Sequence, residues 1–303
     1  MIEENRKKEL MNGAYGICRE NVPLSEHTSF KIGGPAELLL EPTSEKELVR
    51  LIRYMNCEKI PYYVFGRGSN ILVKDGGMDG VCLILGPKYS DCWIEGNKLS
   101  AEAGAGINSV SLLSFKAGLT GMEELSGIPG SVGGGAIMNA GAYGREMKDV
   151  IESVRVIDRD GRISEIGIED MGMAYRTSRM MREGLIISRV NFSLKPGDPK
   201  EIMARYEDYS KRRAGKQPLD KPSAGSTFKR PVGGYASKLI DDAGLRGLSY
   251  GQAQVSEKHC GFLINKGGAK ASEVLHLIGM VQKKVKDKFG IDLEPEVRII
   301  GKD

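Results

Sequence analysis

SGIPGSVGGGAIMNAGAYG, residues Ser126 to Gly144, holds seven glycines in nineteen positions. Glycine reaches positive φ without steric cost, and its missing Cβ lets backbone N–H groups close on a ligand. Successive N–H groups turned into one concavity form a nest for anionic oxygens. The stretch therefore reads as a phosphate cradle, or else as a glycine-rich linker. Ile128, Val132, Ile137 and Met138 favour the cradle, because a solvated linker does not need them. The run contains no charged residue up to Gly144, so an anion here would be held by main chain.

The spacing narrows the type of cradle. Gly127, Gly130 and Gly133 recur every third residue, followed by Gly134 and Gly135. That is not the G-x-G-x-x-G dinucleotide fingerprint, and no G-x-x-x-x-G-K-[ST] loop occurs in the chain. A second loop, Gly66-Arg67-Gly68-Ser69-Asn70-Ile71, follows a predicted strand directly. Alone it is an ordinary turn; paired with the first, two backbone nests could share one diphosphate.

With 303 residues the chain is long enough for roughly two or three domains. Its 40 glycines are about twice the usual share, so tight turns are expected. A net charge of +4 argues against a nucleic-acid partner but tolerates an anionic small molecule. Cys18, Cys57, Cys82, Cys92 and Cys260 form no C-x-x-C pair, and His27, His259 and His276 are far apart, so no metal site is expected. MIEENRKKEL at the start lacks an apolar segment, and no apolar run approaches the ~18 residues of a membrane span. These features predict a cytoplasmic protein with no membrane partner.

Outward from the glycine run, strands and helices alternate with hairpins. Ser44 and Glu47 make a capping box before the stripe Leu48, Leu51, Ile52, Met55. Tyr62 to Phe65 is a strand, and Asn108 to Ala117 a helix. Asp160-Gly161 joins the strands Val150 to Asp158 and Arg162 to Ile166. Leu185 to Leu194 is another strand. Lys195-Pro196-Gly197-Asp198-Pro199 breaks the pattern and marks a boundary. Lys200 to Arg213 and Ala271 to Phe289 are helices, and Glu296 to Ile300 a closing strand. The class is α+β, with a helical lead-in at 1–20, one domain at 21–196 and a smaller one at 197–303.

GRGSNILV, GIPGSVGGGAIMNAGAYG, AYRTS, AGSTFKRP, KHCGFLIN and LEPEVRIIG occur in this order. Together they resemble the UDP-N-acetylenolpyruvoylglucosamine reductase family from about His27 to Ile300. The resemblance implies an FAD-binding domain of the vanillyl-alcohol-oxidase type followed by an α+β substrate-binding domain. It implies noncovalent FAD, NADPH as co-substrate, and a UDP-sugar substrate. Gly66, Arg67, Gly68, Ser69, Asn70 and Ile71 then correspond to one FAD loop. Gly127, Ile128, Pro129, Gly130, Ser131, Gly133, Asn139, Gly141 and Gly144 correspond to the other. Asn139 is either a flavin or phosphate contact or a turn-capping amide.

Three residues match the family's catalytic positions. Ser226 matches the proton donor, although a serine between glycine and threonine is ordinarily a turn residue. Arg176 matches an arginine near flavin and substrate carboxylate; guanidinium binds carboxylate bidentately and stays charged. Glu296 matches the glutamate across the substrate, best suited to that place when protonated, whereas its neighbour Glu294 suits an exposed strand. Lys216, in the cluster Lys211, Arg212, Arg213, Lys216, matches a lysine near the substrate diphosphate, or is a solvated helix end. Tyr175, Lys229 and His259 fall in matching motifs and line the expected substrate side. No metal is implied.

The longer form of the family inserts a tyrosine-bearing loop over the substrate. Here AYRTSRMMREG leads straight into the strand at Leu185, so the chain resembles the shorter form. Two alternatives use the same motifs: a flavin oxidase of the same fold, and a non-catalytic UDP-sugar binder. With no histidine in either glycine loop, acid precipitation of the purified protein should release FAD into the supernatant. Flavin that stays with the pellet would contradict noncovalent binding.

Overall fold

In the computed structural model, which describes Met1 to Asp303, the apolar stripe after Ser44 forms the helix Glu45–Cys57. The Ser44 hydroxyl caps it, accepting from the Glu47 N–H at 3.3 Å. The return bond is displaced by one residue: the Glu47 carboxylate accepts from the Thr43 N–H at 2.7 Å. Leu48, Leu51, Ile52 and Met55 are fully buried on one face.

The chain forms two units. The first comprises Met1–Glu20, Leu38–Arg67 and Gly80–Arg212. It holds a five-stranded antiparallel sheet in the order Ile163–Gly167, Ile151–Ile157, Ile186–Ser193, Lys98–Glu102, Cys92–Glu95. Its two hairpins turn at Asp160-Gly161 and Gly96-Asn97, with Gly161 at φ 70° and Gly96 at φ 61°. The strand Tyr62–Phe65 pairs in parallel with residues Val81 to Ile84. Leu38, Leu51, Leu83, Val110, Val154, Val190 and Phe192 share one continuous core.

The second unit comprises Asn21–Glu37, Gly68–Asp79 and Arg213–Asp303. Four antiparallel strands follow the order Ser223–Ser226, Phe262–Asn265, Ala253–Val255, Ser249–Tyr250. The helix Ala271–Phe289 buries Val274, Leu277, Ile278, Val281 and Val285 in this unit's core. Asp75 caps that helix from a distant segment, its carboxylate accepting from the N–H groups of Ala271 at 2.7 Å and Ser272 at 3.0 Å. Phe30, Ile32 and Leu72 belong to the same core, which is why two early excursions of the chain fold with its C-terminal third.

The α+β class matches expectation, but these units divide the chain differently from the boundary read at 197. Pro199 starts the helix Pro199–Lys216, whose Ile202 and Tyr206 pack into the first unit's core. The Pro-Gly break thus opens a helix and does not close a domain. The lead-in is likewise part of the first unit: only Glu4–Leu10 is helical, and Leu10 is fully buried.

The glycine run contains an unexpected helix, Val132–Ile137. Glycine is about 1 kcal/mol worse than alanine in a helix interior, so packing must compel it. The N–H groups of Val132 and Gly133 donate to the carbonyls of Ala105 at 2.8 Å and Ala103 at 3.0 Å. A Cβ on Gly133 would lie 2.7 Å from the Ala103 Cβ, and one on Gly135 would lie 3.0 Å from Ile107 Cδ1. Gly134 faces solvent, and a Cβ there would meet only the Ser131 Oγ, at 3.3 Å. The two adjacent glycines should therefore respond oppositely to alanine. Gly133→Ala should destabilise by about 1–3 kcal/mol through overpacking, whereas Gly134→Ala should stabilise by up to about 1 kcal/mol. Urea unfolding of both variants checks this; shifts of equal sign would refute the packing account.

Candidate active site

The cofactor side is built in the first unit from three segments. A Cβ on Gly66 would lie 2.1 Å from Ser131 Oγ, so only glycine lets these two segments meet. A Cβ on Gly106 would lie 2.8 Å from Arg67 Nη2, which places the guanidinium against that backbone. The N–H groups of Gly66, Arg67, Gly127, Gly130 and Ser131 have no acceptor in the protein. Main-chain donors with no internal partner and a close approach that admits no Cβ are what a diphosphate requires.

This cradle is narrower than the glycine run. Ile128 donates to Leu125, and Pro129 has no N–H. Gly133 donates to Ala103, so its role is close packing. Gly141 and Gly144 shape a hairpin: Ala142 pairs with Arg145, and Tyr143 and Gly144 have φ 54° and 89°, the signs of a type I′ turn. Asn139 is fully buried, and its side chain is engaged within the protein. Its Nδ2 donates to Glu146 Oε2 at 3.0 Å and to the Ala174 carbonyl at 3.4 Å, while its Oδ1 accepts from the Lys148 N–H at 3.1 Å. Of its two readings, the capping amide is the one its side chain performs.

In the second unit Gly68, at φ 59°, admits no Cβ because one would lie 2.2 Å from the His27 carbonyl oxygen. Gly68, Ser69 and Asn70 also keep N–H groups with no protein acceptor. Ile71 starts a strand, Ile71–Val73, parallel to Arg298–Ile300. Asn70 Nδ2 donates to the Glu296 carbonyl at 3.2 Å, and the Arg298 N–H donates to the Asn70 carbonyl at 3.0 Å.

Arg176 stands at the corner of a tight turn. Ala174 and Thr177 exchange N–H···O bonds of 3.1 and 3.2 Å, with Tyr175-Arg176 between them. Arg176 has φ 56°, the left-handed region that a type II turn demands of its third residue and that glycine or asparagine usually fills. Its guanidinium lies 4.8 Å from the centre of the half-exposed Tyr175 ring. The turn is followed by Ser178, which caps the helix Arg179–Glu183 by accepting from the Met181 N–H at 3.3 Å. The same hydroxyl donates to the Ile137 carbonyl at 2.8 Å. The Lys148 ammonium, 2.7 Å away, holds Glu146 below the usual carboxylate range against partial burial, and Asn139 and the charge of Arg176 add to this.

Ser226 ends the strand Ser223–Ser226 on a bulge. Ser223 pairs with Ile264 and Ser226 with Phe262, so Ala224 and Gly225 oppose one residue, and Gly225 takes φ 76°. The Ser226 hydroxyl is partly exposed and makes no hydrogen bond within the protein. Thr227 beside it is buried and fully engaged. Its N–H donates to Gly261 at 2.8 Å, its Oγ1 accepts from the Leu263 N–H at 3.1 Å, and its carbonyl accepts from the Glu296 N–H at 2.8 Å. The segments carrying Ser226 and Glu296 are thus joined through one residue.

The expected substrate-side residues fall into two groups. Lys216 is exposed at the end of the helix Pro199–Lys216. Lys229 pairs with Glu294, which is exposed as expected but lies before the last strand and not on it. His259 is half-buried, its Nδ1 accepting from the Gly261 N–H at 3.1 Å and its ring edge-on to Phe262. Sequence reasoning missed Thr227, Ser178 and Glu146. Only Ser178 carried a local signal, a serine immediately before a helix-forming run.

Burial holds His259 below its usual range. The unfolded chain then binds a proton that the folded one resists, so stability contributed by neutral His259 is full above about pH 6.5 and declines as pH falls below it. His259→Asn keeps an acceptor for Gly261 without titrating. Its melting temperature should fall less steeply than the wild type's between pH 6.5 and its acid limit; parallel curves would contradict the assignment.

Residues 36–167 match the FAD binding domain family. Residues 217–300 match the family described as UDP-N-acetylenolpyruvoylglucosamine reductase, C-terminal domain. The chain is 50% identical over 281 residues to the UDP-N-acetylenolpyruvoylglucosamine reductase of Clostridium kluyveri, covering 93% of this chain and 92% of that one. It is 45% identical over 302 residues to the Clostridium novyi protein of the same name, covering 100% and 98%. Among solved structures, the UDP-N-acetylenolpyruvylglucosamine reductase of Thermus caldophilus aligns with a TM-score of 0.81 at 34% identity, over 93% of this chain and 99% of that one.

Proposed function

The chain belongs to the UDP-N-acetylenolpyruvoylglucosamine reductase family, and from that premise we propose how its residues share the work. It is an FAD-dependent oxidoreductase that uses NADPH to reduce UDP-N-acetylglucosamine enolpyruvate to UDP-N-acetylmuramate, a step of peptidoglycan precursor synthesis. The oxidase and the non-catalytic binder considered above are thereby set aside. When bound, FAD would supply the hydride chemistry that links NADPH to the enolpyruvyl group. The amides of Gly66, Arg67, Gly127, Gly130 and Ser131 would hold its diphosphate. No helix is long and apolar enough to cross a membrane; a cytoplasmic location belongs to this proposal, as do the absence of nucleic-acid and membrane partners and a place in cell shape and division.

Arg176 binds the substrate carboxylate. When the vinyl carbon gains hydride, negative charge develops over that carboxylate and the adjacent carbon. A fixed guanidinium stabilises this charge more than it stabilises the ground state. Glu296 hydrogen-bonds the same group. Ser226 delivers the proton that completes the new C–H bond, and its oxygen must regain a proton before the next turnover. Lys216, Lys229, His259 and Tyr175 bind the UDP-sugar, Lys216 at the diphosphate.

One observation carries the Ser226 assignment. Its hydroxyl is held on a bulge with no internal partner, while Thr227 next to it uses every polar group and anchors Glu296. A hydroxyl with a structural role would be bonded within the protein; this one is open to a ligand or to solvent. Positioned proton transfer is worth about 10²- to 10⁴-fold. Ser226→Ala should lose at least about 10²-fold in substrate reduction, and Ser226→Cys should recover part of it. Flavin reduction by NADPH, which does not use this proton, should stay within a few-fold, about threefold at most. Anaerobic stopped-flow absorbance separates the half-reactions. Equal slowing of both would make Ser226 a turn residue.

A further inference from the structure

Arg176 is held in a conformation that its own backbone disfavours, so something outside the turn must impose it. Two side chains reach the turn, and both start from the C-terminal end of the helix Val132–Ile137 or meet it there. Ser178 donates to the Ile137 carbonyl at 2.8 Å on the outgoing side. Asn139 donates to the Ala174 carbonyl at 3.4 Å on the incoming side. Ala174 is the residue whose carbonyl also closes the turn, by accepting from Thr177 at 3.2 Å.

Asn139 is itself locked. It has φ 43°, is fully buried, and uses its N–H on Ala136 and its Oδ1 on the Lys148 N–H. Its second amide hydrogen goes to Glu146 Oε2 at 3.0 Å. Glu146 is bound in turn by the Lys148 ammonium at 2.7 Å. The amide therefore joins a carboxylate on one side to the arginine's turn on the other.

We propose that Asn139, with Glu146 as its partner, is a positioning residue for Arg176: it fixes the turn that aims the guanidinium, and it acts on the substrate step only through that arginine. The inference rests on the reading of Arg176 given above. It assigns the Asn139 side chain to the substrate step and not to the cofactor. A misplacement of about 1 Å at a reacting group costs on the order of 10²-fold, so loosening the turn has a measurable effect.

The test is a double-mutant cycle on the FAD-loaded enzyme. Asn139→Gly removes the amide but accepts the positive φ; Arg176→Ala removes the guanidinium; the third protein carries both changes. Reoxidation of reduced enzyme by UDP-N-acetylglucosamine enolpyruvate and reduction by NADPH are followed separately, with the substrate dissociation constant and thermal stability. Asn139→Gly should slow the substrate step by about 10- to 100-fold and leave reduction by NADPH within about twofold. Added to Arg176→Ala it should cost nothing more on the substrate step. Glu146→Gln, which keeps shape and loses charge, should give a smaller loss with the same non-additivity, and it carries the test if Asn139→Gly does not fold. Losses that multiply would overturn the proposal, because Asn139 would then act on the fold or cofactor. An intact substrate step in Arg176→Ala would overturn the reading of Arg176 and the proposal with it. A damaged step in Arg176→Ala beside an intact one in Asn139→Gly would overturn the proposal alone.

Discussion

Two hydrogen bonds, from the N–H groups of Val132 and Gly133 to the carbonyls of Ala105 and Ala103, set the architecture of the cofactor side. A helix N-terminus ordinarily offers its first amides to an anion. Here those amides are used to lay the helix directly on the Ala103–Ala105 backbone, which is possible only because Gly133 lacks a Cβ. Donors for an anion must then come from the preceding loop, Gly127, Gly130 and Ser131, and from Gly66-Arg67. The helix is six residues, roughly 9 Å long at 1.5 Å per residue. Its other end receives Ser178 and Asn139. One short element thus fixes both the loop that would hold phosphates and the turn that carries Arg176.

The second unit reaches a similar economy by a different route. Thr227 donates, accepts through its carbonyl and accepts through its hydroxyl, all within the protein. Its neighbour Ser226 does none of these with its side chain, because the bulge at Ala224-Gly225 rotates successive residues out of the regular alternation. Valine in place of Thr227 would match its shape but leave the buried Leu263 N–H unpaired, a loss of about 1–3 kcal/mol. The chemistry of adjacent hydroxyl residues is therefore decided by backbone register, not by residue type.

That distinction explains what was legible in the sequence. The helices Glu45–Cys57 and Ala271–Phe289 and the Asp160-Gly161 hairpin were readable because their signals are local: a 3.6-residue stripe, a cap, a turn dipeptide. The helix in the glycine run was not, since its composition opposes helix and only contact with Ala103 and Ile107 demands it. The division into units was also hidden. Nothing in residues 21–37 or 68–79 announces that Phe30, Ile32 and Leu72 join a core made mostly of residues beyond 213. Arg176, Ser226 and Glu296 were singled out through ordered motifs, not through spacing. Their supports, Asn139, Ser178, Glu146 and Thr227, act through long-range bonds that no window of sequence contains.

The backbone strain around the site can be weighed. Six non-glycine residues of the chain have positive φ, and three of them, Asn139, Tyr143 and Arg176, lie on the segments discussed here. Each costs about 1–3 kcal/mol that glycine would avoid. At Asn139 three side-chain hydrogen bonds, worth about 1 kcal/mol apiece when buried, offset that cost. At Tyr143 a ring 4.8 Å from that of Tyr209 contributes about 0.5–1.5 kcal/mol. At Arg176 the guanidinium stacks on the half-exposed Tyr175 and its charge attracts the partly exposed Glu146, contacts worth about 0.5–1 kcal/mol each. If the guanidinium also works on a ligand, the rigid frame around it is the means by which the fold keeps a strained side chain aimed.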